Sequence, residues 1–150
     1  MNWNHGREEY VIKLNWNNQK TPQMNISYEF SVLQYIHDIA AEETVNIGVL
    51  MWLPESRQFL YQISQDTSRL YSFFKDFITK DYMEMIQDLL RYFEETSKIA
   101  HDLSSLADLR EHLVPTGHGK LIWGAPMYGI ASDCQKRLDL LMHEFVKKHY

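Results

Sequence analysis

The chain has 150 residues, of which 45% are hydrophobic, 13% aromatic and 23% charged, a balance that suits one globular domain with a core of its own. Its formal net charge of -5 leaves it without the dense basic surface by which general nucleic-acid binders displace counterions. Cys134 is the only cysteine, which excludes an intrachain disulfide and fits a reducing, cytoplasmic setting.

The start MNWNHGREEY has polar residues where a signal peptide needs an apolar run, and no apolar stretch is long enough for a membrane span. Residues 1–26 read as an extension and 27–150 as the core of a single domain. Within the extension, Tyr10, Ile12, Leu14 and Trp16 alternate with polar Lys13 and Asn15, the pattern of a half-buried edge strand or of an arm that docks on another subunit. Asn17–Gln23, with Pro22, supplies the turn that follows.

The segment from Tyr28 to Leu53, YEFSVLQYIHDIAAEETVNIGVLMWL, reads as two apolar strands, Ser27–Ile36 and Val45–Leu53, joined by the acidic loop His37–Thr44. Pro54–Arg57 makes a tight turn into a third strand, Gln58–Ser64, so the three strands form an antiparallel meander. Asp66 or Ser68 can cap a helix with Leu70, Phe73, Phe74, Phe77 and Ile78 on one face. Asp81 and Glu84 resemble a capping box for a long helix to about Ala100, with Met85, Ile86, Leu89, Leu90 and Phe93 inward. Ser105 and Asp108 open a third helix buried through Leu106, Leu109 and Leu113, stopped by Pro115 and Gly117. Lys120–Trp123 reads as a short strand, Gly124–Gly129 as a turn, and Ser132–Asp133 as the start of a last helix carrying Leu138, Leu141, Met142 and Phe145. The expected class is α+β: an antiparallel sheet of about four to five strands with three to four helices packed mainly on one face.

Glu43, Asn46 and Gly48 are the sharpest constellation. Alternation puts Asn46 and Gly48 on one strand face, continued by Leu50 and Trp52, and a strand glycine lets another backbone, a helix or a ligand approach closely. The structural reading has Gly48 admitting a crossing helix, Asn46 tying down the loop and Glu43 capping it. The functional reading is a polar site in which His37 or Glu43 moves protons beside Asn46. His37, Asp38, Glu42 and Glu43 match no zinc spacing, and neither His112 with His118 nor His143 with His149 makes a standard pair, so no metal or other cofactor is expected. The run TGHGK at 116–120 fails as a phosphate loop, because Leu121 follows the lysine and a helix precedes it. Cys134 lies near a helix N-terminus without a histidine partner, the setting of a buried bystander.

The YEFSVLQYI strand followed by Glu43-x-x-Asn46-x-Gly48 resembles an uncharacterised bacterial family, domain of unknown function 3037, from Tyr28 to about Val146. The closing GAPMYGIASDCQKRLDLLMHEF is similar to that family's turn and helix. Gln34 stands where the family usually has an arginine, and a second arginine is absent around Met127–Tyr128, which counts against an anion-binding or catalytic role. The resemblance implies a protein partner, since some members sit beside genes for HipA-type kinases.

The function expected from these observations is a non-catalytic accessory or regulatory protein in a bacterial or phage toxin, kinase or defence locus. Its contact elements would be the Tyr10–Trp16 strand and the His37–Thr44 loop, with Asp38 and Glu42. Homo-oligomers are compatible with the sequence. The alternative is a small hydrolase-like enzyme with its site at His37, Glu43 and Asn46, which requires a concave pocket there. Nucleic-acid binding through Lys75, Lys80, Arg91 and Lys98 ranks last.

Overall fold

The computed structural model describes residues 25–114 and 119–149. The expected strand at Tyr10–Trp16, the stop at Pro115 and Gly117, and His118 lie outside the described residues. These residues form five strands, β1 (Ile26–Asp38), β2 (Glu43–Leu53), β3 (Gln58–Ile63), β4 (Leu121–Trp123) and β5 (Met127–Ala131). They also form four α-helices, α1 (Ser68–Phe73), α2 (Thr79–Ser97), α3 (Leu106–Leu113) and α4 (Cys134–Phe145). The architecture is the expected α+β one.

The sheet is antiparallel in the order β3-β2-β1-β4, and β5 also pairs with β1. Strand β1 is the spine. Its first half (26–30) is bordered by β5 and its second (33–35) by β4, so β4 and β5 act as one edge strand broken at Gly124–Pro126. At the break the Gly124 N–H still donates to the Val32 carbonyl, 2.7 Å away. The Gly124–Gly129 segment is therefore only in part the turn its two glycines and proline suggest, and from Met127 it is strand.

Each face of the sheet has its own core. Leu33, Tyr35, Leu50, Trp52, Phe59 and Tyr61 pack under α2 and α3, while Tyr28, Phe30, Val32, Met51 and Leu60 pack under α4. Helix α2 buries Ile86, Leu89, Leu90 and Phe93 on one stripe, each contributing about 1.5–3 kcal/mol of hydrophobic burial. Three helices thus belong to one face and α4 to the other.

Strand β2 serves both cores through a bulge. Leu33 opposes Gly48 and Gln34 opposes Asn46, leaving Ile47 as an extra residue. Before it Val45 and Ile47 join the α2 side; beyond it Leu50 and Trp52 do, and Val49, Met51 and Leu53 turn to α4. The bulge inserts one residue and so reverses the phase of alternation. Asn46 and Gly48 therefore do not share a face, contrary to the strict-alternation expectation.

Two helix starts differ from expectation as well. Helix α1 ends at Phe73, which is exposed, whereas Phe74 and Phe77 are buried from the non-helical segment that follows. Asp66 accepts from the Ser68 backbone and hydroxyl, but the N-cap is Thr67, with no side-chain cap bond. Helix α2 is capped at Ile78 with no side-chain bond, and Asp81 lies within its first turn, where a carboxylate favours the helix dipole. Ser105 and Asp133 cap as expected, accepting from the Asp108 and Lys136 N–H groups at 3.1 and 3.0 Å.

Candidate functional site

The residues singled out in the Glu-x-x-Asn-x-Gly pattern separate in space. Asn46 accepts from Gln34 Nε2 at 3.0 Å and donates its Nδ2 to the Phe145 carbonyl at 2.9 Å. It ties β2 to the end of α4, satisfying a carbonyl that a helix C-terminus leaves unpaired, rather than holding the preceding loop. Gln34 is consumed in the same chain of bonds. At Gly48 a Cβ would fall 2.8 Å from the Gln62 carbonyl oxygen and 3.1 Å from Ile63 Cγ1, so the glycine admits strand β3, not a crossing helix. Glu43 is exposed, and it is Asp38 that closes the hairpin loop, accepting from the Ala41 N–H at 3.1 Å.

His37 goes elsewhere. Strand β1 runs on to Asp38, so His37 is a strand residue whose side chain shares a face with Tyr35. Its ring stacks on Phe74, with centroids 4.2 Å apart and planes at 12°. Nδ1 lies 3.1 Å from the Tyr35 hydroxyl and Nε2 lies 2.5 Å from Asp76 Oδ1. Burial pushes the Tyr35 phenol up, and the charges of Asp76 and Asp81 add to that shift. The ionised Asp76 carboxylate can only accept, so Nε2 donates to it, and in a ring with one proton Nδ1 then accepts from the Tyr35 hydroxyl. The hydrogen bond from His37 in turn holds the Asp76 carboxyl below its ordinary value. Lys120 Nζ donates to the His37 carbonyl at 3.1 Å, joining β4's approach to the same corner.

Tyr35, His37, Asp76, Ile78 and Lys120 line an open pocket of about 240 Å³. A larger one of about 430 Å³ continues along α2, lined by Glu84 and Asp88 and sharing Asp81, Met85 and Lys120 with the first. The corner is mainly acidic and partly apolar. Around it Ile39 is 69% exposed, Phe73 61% and Ile78 58%. Asp38, Glu42 and Glu43 stand exposed on the same hairpin tip, with Glu42 in the left-handed region at φ 56°. Sequence reasoning found His37, Asp38 and Glu42 but missed Tyr35, Asp76 and Lys120, because separations of 39 and 83 residues leave no periodic trace. The i, i+2 spacing of Tyr35 and His37 was the one available signal.

Other candidates resolve simply. Cys134 is buried, and burial pushes its thiol up to about 11, outweighing its place at the start of α4. His112 and His143 are exposed. Lys80 and Arg91 pair with Glu84 and Asp88 on their own helix. Among the described residues, no three of His, Cys, Asp and Glu come together as a metal-binding group, and no helix is long and apolar enough to cross a membrane.

The chain matches no curated protein and no solved structure. Residues 30–146 match the family described as "Protein of unknown function (DUF3037)", and the chain belongs to that family.

Proposed function

We propose that the protein is a non-catalytic accessory or regulatory subunit of a bacterial or phage system, working in the cytoplasm through the corner built on His37. The observation that carries this reading is the pairing of exposed Ile39, Phe73 and Ile78 with an acidic surround on two elements that the His37–Asp76 bond pins together. Exposed apolar side chains bordered mainly by carboxylates, with Arg69 over Phe73 and Lys120 as the cations among them, fit a protein partner with an apolar centre and lysine or arginine in its rim. A locus-encoded partner such as a HipA-type kinase is the candidate to test first. Tagged protein should retain one stoichiometric partner, and the triple variant Ile39→Ser/Phe73→Ser/Ile78→Ser should lose it while folding normally. Glu42→Lys/Glu43→Lys should weaken capture and reduce its dependence on salt. Undiminished capture by both variants would refute this placement.

A second reading rests on the Tyr35–His37–Asp76 line at the pocket wall, with Asp76 in the role first given to Glu43: an acid–base enzyme in which His37 moves the proton. The hydroxyl facing Nδ1 is the Tyr35 phenol, which burial pushes up and so does not activate, and this favours the binding role. Loss of a hydrolytic activity in His37→Gln, with partner binding intact, would reverse the ranking.

A further inference from the structure

The other end of β1 carries a surface that the proposed function does not use. Here β5 borders Ile26–Phe30, and among the described residues it pairs with no other strand. Half of its N–H and C=O groups point outward. On the α4 face this corner is filled: the Tyr28 ring lies over Gly129, and Arg137 donates to its hydroxyl at 3.1 Å. On the opposite face the helical layer ends at Ser31, where Arg110 donates to the Ser31 hydroxyl and to the Gly124 carbonyl, both at 3.1 Å. Beyond that point Tyr128 is 70% exposed and Ile130 59%.

Natural edge strands are usually blunted by lysine, proline, an inward charge or a bulge. Strand β5, MYGIA, has none of these along its length, and Pro126 stands just outside it. Its sequence is also self-complementary. Two copies laid antiparallel about a two-fold axis through Gly129 set Tyr128 of each against Ile130 of the other, twice, and Met127 against Ala131. No charge meets a like charge, since the strand carries none. Both large exposed side chains fall on the uncovered face, where cross-strand apolar pairs stabilise a sheet.

From this self-complementarity we infer that β5 is the homodimer interface of the protein, joining two sheets edge to edge through an isologous antiparallel pair of β5 strands. The partner is a second copy of this chain. The hairpin tips then lie at opposite ends of the combined sheet, clear of the interface, so dimer formation and capture of another protein are separable.

Sedimentation equilibrium of the full chain should give twice the monomer mass at high concentration. Tyr128→Lys/Ile130→Lys should give the monomer mass with an unchanged circular dichroism spectrum, because both side chains are exposed. Register supplies the second test. Mixed Tyr128→Cys and Ile130→Cys chains, in a Cys134→Ser background, should form a heterodisulfide on mild oxidation at least about tenfold faster than either chain alone, since diagonal partners exceed disulfide reach. A wild-type monomer at all concentrations would overturn the inference, as would crosslinking without that preference. A dimer that forms only after deletion of residues 1–24 would also overturn it, showing that the chain's own amino-terminal segment holds the edge.

Discussion

Gly129 gives the sharpest test of how the β5 corner is packed. A Cβ built there falls 2.5 Å from Tyr28 Cζ, 2.9 Å from its Cε2, and closer still to the hydroxyl. The ring cannot yield cheaply. It is held by the Arg137 hydrogen bond at 3.1 Å, lies under that guanidinium at 5.9 Å, and packs on Phe30 at 6.0 Å. Overpacking costs about 1–3 kcal/mol, and losing the Arg137 bond about 1 kcal/mol more. Gly129→Ala should therefore destabilise by about 2–4 kcal/mol, or roughly 5–15 °C in Tm for a domain of this size. Urea unfolding with an unchanged m-value would measure it. The control is Tyr28→Ala. With the ring gone, alanine at 129 suits a strand better than glycine, and the same substitution should stabilise by up to about 1 kcal/mol. A cost at 129 that persists in the Tyr28→Ala background would show that the ring is not what requires the glycine.

Three further outcomes follow from contacts already described. Asn46→Ala should cost about 1–3 kcal/mol, because it strands the Phe145 carbonyl and Gln34, and hydrogen exchange should accelerate at the end of α4 before elsewhere. Asp76 is held below its ordinary value of 3.8 by His37, so its contribution is present above that pH and lost as the pH falls through the lowered value. Asp76→Asn should accordingly flatten the acid limb of the urea midpoint against pH, and an unchanged limb would refute the His37–Asp76 bond. Burial pushes the Cys134 thiol from 9.0 up to about 11; its contribution is complete below 9.0 and lost toward the higher value, while at neutral pH iodoacetamide should modify the thiol only as fast as the native state opens.

The meander and two helix caps were legible because each rests on local chemistry. Pro54–Arg57 separates two runs of strand formers, and Ser105 and Asp133 carry the oxygen that the first helical turn needs. The misses have local causes too. In VNIGVL both faces of the strand are apolar, so nothing in the residues marks Ile47 as the extra one, and the side of Asn46 was assigned wrongly. Gly124, Pro126 and Gly129 carry strong turn signals, yet Gly129 serves as the space into which Tyr28 lies, and β5 was hidden. Phe73 and Phe74 are adjacent and equally apolar, and the sequence does not say that the helix stops between their roles. The Tyr35–His37–Asp76 line depends on where the 74–78 segment crosses β1, a tertiary fact with no periodicity. The resemblance to the family located Asn46 and Gly48 as special positions, and the structure gives both an architectural reason.

The position of β1 between early and late partners also sets the order in which the molecule can be assembled. Its contacts with β2 close within a hairpin, but Tyr28 meets Arg137 across 109 residues and Asn46 meets Phe145 across 99. Such long closures slow folding, because chain entropy is lost before the contacts return anything. During synthesis the β1–β2–β3 meander can form while β4, β5 and α4 are still to come, and until they arrive one whole side of β1 stays open to any passing strand. The nascent meander is thus where this protein is most exposed to aggregation, and folding helpers that recognise extended apolar segments should engage it before residue 121 has emerged.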